Sequence, residues 1–137
     1  MKTSLIILFT LILSFSSASS QVPDSLKYIS FKPDLFKNAM DTAGNVIVID
    51  VREYFEFRKT RISGAVNIPA SGSLKVPADT IAKDMSMFLY CTSGFRSKRV
   101  AKGFYDAGFR RLYSLDGGIK AWRKEGMAVD KKRIRKK

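Results

Sequence analysis

Cys91 is the single cysteine of a chain that contains no histidine. It stands after the apolar run Phe88-Leu89-Tyr90 and before Thr92-Ser93-Gly94-Phe95-Arg96-Ser97, a pattern that reads as strand, loop and helix. Without an imidazole, a Cys–His pair, a histidine general base and a mixed Cys/His metal cage are all excluded. Any chemistry at Cys91 must therefore be supported by backbone N–H groups and cationic side chains. The first N–H groups of a helix lack intrahelical partners and favour anions. Such a terminus, with Arg or Lys nearby, can bring a cysteine pKa from about 8.5 into the range of roughly 3.5–7.5, which populates the nucleophilic thiolate. Arg96, Lys98 and Arg99 are the candidate cations; in a first helical turn they oppose the helix dipole, which makes sense where an anion binds among them. The plainer alternative is that a lone cysteine packs as a small buried hydrophobe.

The spacing also bears on phosphoryl chemistry. A cysteine phosphatase needs an arginine six positions after its nucleophile to fork onto phosphate oxygens. Here the sixth position is Ser97 and Arg96 is the fifth, so that reading is set aside.

The elements around Cys91 follow from the hydrophobic pattern. At 137 residues, with 45% apolar and 12% aromatic side chains, the chain has material for one packed domain. A brief edge strand is expected at residues 28–30. A short helix follows, with Pro33 in its first turn and Leu35, Phe36, Ala39 and Met40 as its apolar positions. Residues 46–49, Val-Ile-Val-Ile, read as a strand buried on both faces of a parallel sheet, with Asp50 and Arg52 at its carboxyl end, where open α/β sheets place their sites. Residues 53–58 read as a helical turn or two, 65–68 as a short strand, 71–76 as loop, and the stretch from Pro77 to residue 82 as a helical piece. Residues 85–90 form the strand that feeds Cys91. In the next helix Val100, Phe104 and Ala107 make the apolar stripe, and Gly108 closes it. A last strand at 112–115 precedes the Gly117-Gly118 turn and a final helix carrying Ile119 and Trp122. Strands alternating with helices argue an α/β domain with a parallel sheet.

The ends differ from the middle. Residues 1–20 hold Lys2, an apolar run from 5 to 15 and small residues at Ala18-Ser19-Ser20, the pattern of a cleaved secretory signal peptide. The expectation is an exported protein, periplasmic in a bacterium and otherwise secreted. An exported chain with one cysteine has no internal bridge, so the thiol is either free and reactive or paired with another chain. The formal net charge is +13. Much of it lies in residues 131–137, read as a solvated basic tail whose alternative role is weak contact with anionic membrane lipid or an acidic partner. The rest is basic without forming a nucleic-acid stripe. A domain is thus expected at residues 21–130, as a monomer.

Several blocks together resemble the rhodanese-like sulfurtransferase family. Tyr90-Cys91-Thr92-Ser93-Gly94-Phe95-Arg96-Ser97 is similar to its C-x-x-G-x-R-S loop. Asp50-Val51-Arg52, Glu56-Phe57 and Ile62-Ser63-Gly64-Ala65-Val66-Asn67-Ile68-Pro69 resemble its D-V-R…E-F…G-A-x-N-I-P signature, with Thr60-Arg61-Ile62 standing where Gly-His-Ile is usual. Leu115-Asp116-Gly117-Gly118 with Trp122 and Gly126 is similar to its closing motif. The resemblance implies a five-stranded parallel sheet with helices on both faces, and transfer of a sulfane sulfur from thiosulfate or a similar anionic donor to cyanide or a thiol through a Cys91 persulfide. In that scheme the backbone of Thr92, Ser93, Gly94, Phe95, Arg96 and Ser97 cradles the anionic sulfur and Arg96 attracts the donor. The hydroxyls of Thr92, Ser93 and Ser97 add donors, and no metal or organic cofactor is called for. Asp50 and Arg52 are either a site rim or an ion pair that anchors the loop; Glu56 is read as satisfying an arginine and Trp122 as core. The alternative function is a non-catalytic binding or accessory module of the same family.

Overall fold

Five parallel strands form one sheet in the order β1-β5-β4-β2-β3. The computed structural model describes residues 21–134, so the expected signal segment and the end of the basic tail lie outside the described residues. Along the chain the elements are β1 (Ile29–Phe31), α1 (Pro33–Thr42), β2 (Val46–Asp50), α2 (Tyr54–Phe57), β3 (Val66–Asn67), α3 (Lys75–Thr80), β4 (Ser86–Tyr90), α4 (Phe95–Asp106), β5 (Leu112–Leu115) and α5 (Gly118–Lys124). A single 3₁₀ turn, Asp24–Leu26, precedes β1.

Strand β4 is central and buried at every position. Its side chains alternate between two cores, as a two-residue period requires. Met87, Leu89 and Cys91 pack with Val100, Ala101 and Phe104 of α4, while Phe88 and Tyr90 pack on the other face with Phe36 of α1 and Ile119 and Trp122 of α5. The helices therefore cover both faces, and strand register alone carries Cys91 to the α4 side. Phe36 meets Phe88 edge-on with ring centroids 5.2 Å apart, and Trp122 at 6.3 Å, geometries favoured by the ring quadrupoles. The Trp122 indole N–H is satisfied by the Ala128 carbonyl at 2.9 Å.

Strand order also fixes where a site can form. The chain leaves β2 toward β3 at one edge, and leaves β4 toward β5 on the other side. The carboxyl ends of β2 and β4 thus flank the point where the connections diverge, which opens a crevice in a doubly wound sheet. Val51 N–H donates to the Tyr90 carbonyl at 2.9 Å, holding the two strand ends side by side.

Two local differences from the sequence expectation have physical causes. Helix α3 begins at Lys75, ahead of the expected start at Pro77. Pro77 lies in its first turn, where the missing N–H would have had no intrahelical partner. The turn closes instead through Ala78 N–H on the Leu74 carbonyl at 2.8 Å, and Ser73 Oγ accepts the Lys75 N–H. At the C-terminal end, Asp130 exchanges two backbone hydrogen bonds with Arg61, and the Arg61 guanidinium donates to the Lys132 carbonyl at 3.1 Å. Attachment to the domain thus extends past the expected boundary at residue 130.

Candidate active site

Strand β4 ends at Tyr90, and residues 91–94 turn the chain into α4. Gly94 sits at φ 95°, a left-handed conformation that suits glycine, and a Cβ there would lie 3.1 Å from the Leu115 carbonyl. This turn brings the Gly94 N–H to 3.1 Å from Cys91 Sγ. The Ser97 hydroxyl lies 3.8 Å from the same sulfur, and its oxygen is 2.9 Å from Ser114 Oγ and 3.1 Å from the Gly94 carbonyl. Cys91 itself is 1% exposed. Burial pushes the thiol pKa up, but the N–H groups of Ser97, Ser93 and Gly94, with the Ser97 hydroxyl, outweigh it, so the pKa lies below the ordinary value. The cradle favours an anion on sulfur.

The loop carbonyls are held away from that anion by α5. Ile119 N–H donates to the Cys91 carbonyl at 2.9 Å and Lys120 N–H to the Thr92 carbonyl at 3.2 Å. Such close approach is possible because Gly118 has no side chain: a Cβ there would sit 2.5 Å from the Cys91 carbonyl oxygen. The Gly117-Gly118 turn, read from sequence as a backbone device, therefore orients the peptide groups beneath the cysteine.

The charged residues divide into two pairs. Asp50 and Arg52 form a buried one: Arg52 Nη2 lies 2.6 Å from Asp50 Oδ2 and also donates to the Thr60 carbonyl, while the Arg52 N–H caps Asp50 Oδ1 at 2.9 Å. This is loop-anchoring geometry, and it is where the Thr60-Arg61-Ile62 turn is tied in. Ile62 N–H donates to the Tyr90 hydroxyl at 3.0 Å on the opposite side of the turn. The second pair spans forty residues. Arg96 Nη1 and Nη2 donate to Glu56 Oε2 and Oε1 at 3.0 and 3.2 Å, and Nη2 also reaches Thr92 Oγ1 at 2.8 Å. Thr92 Oγ1 in turn donates to Glu56 Oε1. The Arg96 guanidinium, offset by desolvation and helped by Thr92 and the Glu53 N–H, brings the Glu56 carboxyl down to about 2.

The expected site residues are thus brought together unequally. Ser93, Gly94 and Ser97 present N–H groups to the sulfur. One expectation needs correcting: the Thr92 hydroxyl is committed to Glu56 and Arg96 and not to the sulfur. The Phe95 side chain points outward, 76% exposed, in keeping with a part for its backbone alone. Arg96 is held by a carboxylate and is no free anion clamp, although the Cys91 sulfur lies within range of its charge. Lys98 is paired with Asp116 at 3.2 Å and Arg99 is exposed. Ser114 was not singled out from sequence; the available signal is a serine amid the apolar residues of β5. Among the described residues no three His, Cys, Asp or Glu side chains gather to hold a metal ion.

A lone thiol stands at the end of a central parallel strand of this α/β domain, ringed by backbone N–H groups. The chain belongs to the rhodanese-like domain family, whose model matches residues 32–125. It is 43% identical over 75 residues to the Bacillus subtilis protein YqhL, covering 55% of this chain and 59% of that protein. It is 29% identical over 85 residues to a sulfurtransferase of Allochromatium vinosum, covering 62% of this chain and 78% of the relative. Among solved structures, a rhodanese-related protein from Thermoplasma volcanium superposes with a TM-score of 0.63 at 28% identity, covering 75% of this chain and 98% of that one. The chain spans little more than half the length of the Bacillus subtilis relatives it matches, 55% of one and 59% of the other.

Proposed function

We propose that this protein is a sulfurtransferase that carries a sulfane sulfur as a Cys91 persulfide. The observation that supports this best is the cradle itself. A buried thiol whose pKa is nevertheless lowered has N–H donors aimed at it, at 3.1 Å from Gly94, and such donors favour the thiolate that attacks and the persulfide anion that follows. With thiosulfate, the Cys91 thiolate attacks the outer sulfur, the S–S bond of the donor breaks, and sulfite leaves with the bonding pair. An acceptor, cyanide or a thiolate, then attacks the outer sulfur of the persulfide and expels Cys91 as thiolate. Arg96, fixed by Glu56, supports the anionic donor electrostatically beside the loop. The Allochromatium vinosum relative, a sulfurtransferase by name, favours the same reading. Export through the segment at residues 1–20 and work outside the cytoplasm belong to the same proposal.

The test is intact mass after incubation with thiosulfate, followed by addition of cyanide. The expected result is a gain of one sulfur atom, discharged by cyanide as thiocyanate and absent in Cys91→Ser. The serine variant keeps a hydroxyl in the loop but cannot hold sulfur as a persulfide. Turnover retained by Cys91→Ser rules out the nucleophile; a wild-type protein that never loads points to the accessory-module alternative.

A further inference from the structure

Strand β5 carries a hydroxyl into the apolar interior at Ser114, between buried Leu112 and Leu115. Its register partner on β4 is Leu89, two residues before Cys91, and the Leu89 and Cys91 side chains belong to the core layer under α4. Residues in register point to the same face of a sheet, so Ser114 points into that layer too. A hydroxyl buried there is costly unless it is hydrogen-bonded, whereas alanine would pack without that cost. Ser114 is 0% exposed, and its hydroxyl has one hydrogen-bond partner among the described residues, Ser97 Oγ at 2.9 Å.

The protons can be assigned from this. A hydroxyl has one proton to give and two sites at which to accept. The Ser114 proton goes to Ser97 Oγ, because any other direction strands a buried donor. Ser97, also fully buried, is then the acceptor in that bond, and its own proton has two destinations: the Gly94 carbonyl at 3.1 Å and Cys91 Sγ at 3.8 Å. The Gly94 carbonyl also receives the Lys98 N–H at 3.4 Å, so it keeps a partner when the Ser97 proton leaves it. With a neutral thiol the shorter bond to Gly94 is favoured; with an anion on sulfur, a charge-assisted bond to Cys91 replaces it. A hydroxyl that accepts one hydrogen bond also donates a stronger one.

We propose that Ser114 is a positioning residue for Cys91: by donating to Ser97 Oγ, it leaves the Ser97 proton free to turn from the Gly94 carbonyl to the cysteine sulfur when that sulfur is charged. The inference deepens the persulfide reading above and rests on it for its part in turnover. Ser114 acts only through Ser97. The charge in range of the sulfur is that of Arg96 on α4, held by Glu56 of α2, and the core side chains clustered with Cys91 from β2, β4 and α4 are apolar.

The experiment follows the ultraviolet absorbance of the thiolate across pH. The chain has one cysteine, so the signal is that of Cys91 once the background of Cys91→Ser is subtracted. In Ser114→Ala the midpoint should rise by about half a pH unit to one pH unit, the equivalent of one hydrogen bond lost. Ser97→Ala should raise it by at least as much, and adding Ser114→Ala to that variant should change nothing further, since the hydroxyl it acts through is gone. Ser114→Thr, which keeps a hydroxyl, should titrate as the wild type does. The acid limb of kcat/KM for thiosulfate should move with the midpoint. An unchanged or lowered midpoint in Ser114→Ala or Ser97→Ala overturns the assignment, as does an equal rise from Ser114→Ala with and without Ser97. A Ser114→Thr midpoint as high as that of Ser114→Ala overturns it too, and an acid limb that stays in place while the midpoint moves overturns the part in turnover. The titration uses no sulfur donor, so a protein that shows these midpoints yet never loads from thiosulfate keeps the Ser114–Ser97 assignment and loses the persulfide reading.

Discussion

Two arginine–carboxylate pairs flank the cysteine loop, and they differ in burial and in span. Asp50 and Arg52 are two residues apart, with side chains 0% and 5% exposed, and between them they hold the end of β2 to the Thr60 turn. Glu56 and Arg96 are forty residues apart, 22% and 30% exposed, and they tie α2 to the first turn of α4. Burial raises the stakes of the first pair, because each ion has lost its water and depends on its partner. Partial exposure lowers the stakes of the second for stability, while its position beside Cys91 raises them for chemistry. One sequence motif, D-V-R with a following glutamate, therefore supplies both a structural pin and an electrostatic setting.

The comparison breaks most visibly at Asp50. Asp50→Ala leaves the Arg52 guanidinium buried without its carboxylate, and the expected loss is about 3–5 kcal/mol in urea unfolding. A loss below about 1 kcal/mol would place the two pairs in the same class.

Arg96→Ala should act on turnover. The donor loses an electrostatic support, and the bare Glu56 carboxylate opposes an anion at Cys91. Loss of a charged hydrogen bond corresponds to about 1.5–3 kcal/mol, or roughly ten- to a hundredfold in kcat/KM for thiosulfate. An uncharged sulfur donor should suffer less, and adding Glu56→Gln should recover part of the thiosulfate loss in a double-mutant cycle. Equal slowing of both donors would mean that Arg96 only shapes the loop.

Glu56→Gln alone sharpens the contrast through pH. The folded pKa of Glu56 is depressed from its ordinary 4.5 to about 2. Its contribution to stability is therefore present above pH 4.5 and is lost as pH falls toward 2. Because the pair is partly exposed, the wild-type advantage over Glu56→Gln at pH 6 should be only about 0.2–1 kcal/mol. Thermal unfolding of both proteins between pH 2 and 6 should show that gap closing at the acid end. A gap that persists unchanged at pH 2 would contradict the assignment.

The smallest effect is expected from deleting residues 131–137, basic charge that neither pair uses. Only the Arg61 contact to the Lys132 carbonyl is lost among the described interactions, so stability should move by no more than about 0.5 kcal/mol. Sulfur loading should be near that of the full chain, and any binding to anionic vesicles at low salt should weaken. A large loss of loading would join the tail to the site.

What the sequence determined by itself is local. The absence of histidine leaves Cys91 to backbone N–H groups and cations, and that follows from composition. The unbroken apolar run of β4 marks a strand buried on both faces, the apolar stripe of α4 sets which of its side chains face inward, and Gly94 marks the turn where a left-handed residue is needed. The loop, the place of Cys91 at the end of β4 and the alternation of strands and helices are legible for the same reason: each depends on neighbours a few residues away. Partners across the fold are not legible in that way, since periodicity names a face without naming what covers it. Tertiary structure decided that β4 lies beside β2 at the diverging connections, and that Ser114 of β5 meets Ser97 at 2.9 Å. It also decided that the Arg96 charge goes to Glu56 in preference to open solvent. Lys59, from the turn after α2, joins Lys120 and Arg123 of α5 around one cleft only because the chain folds back on itself. Those placements depend on which strand ends and helix ends become neighbours, a property of the whole packed chain and of no single stretch within it.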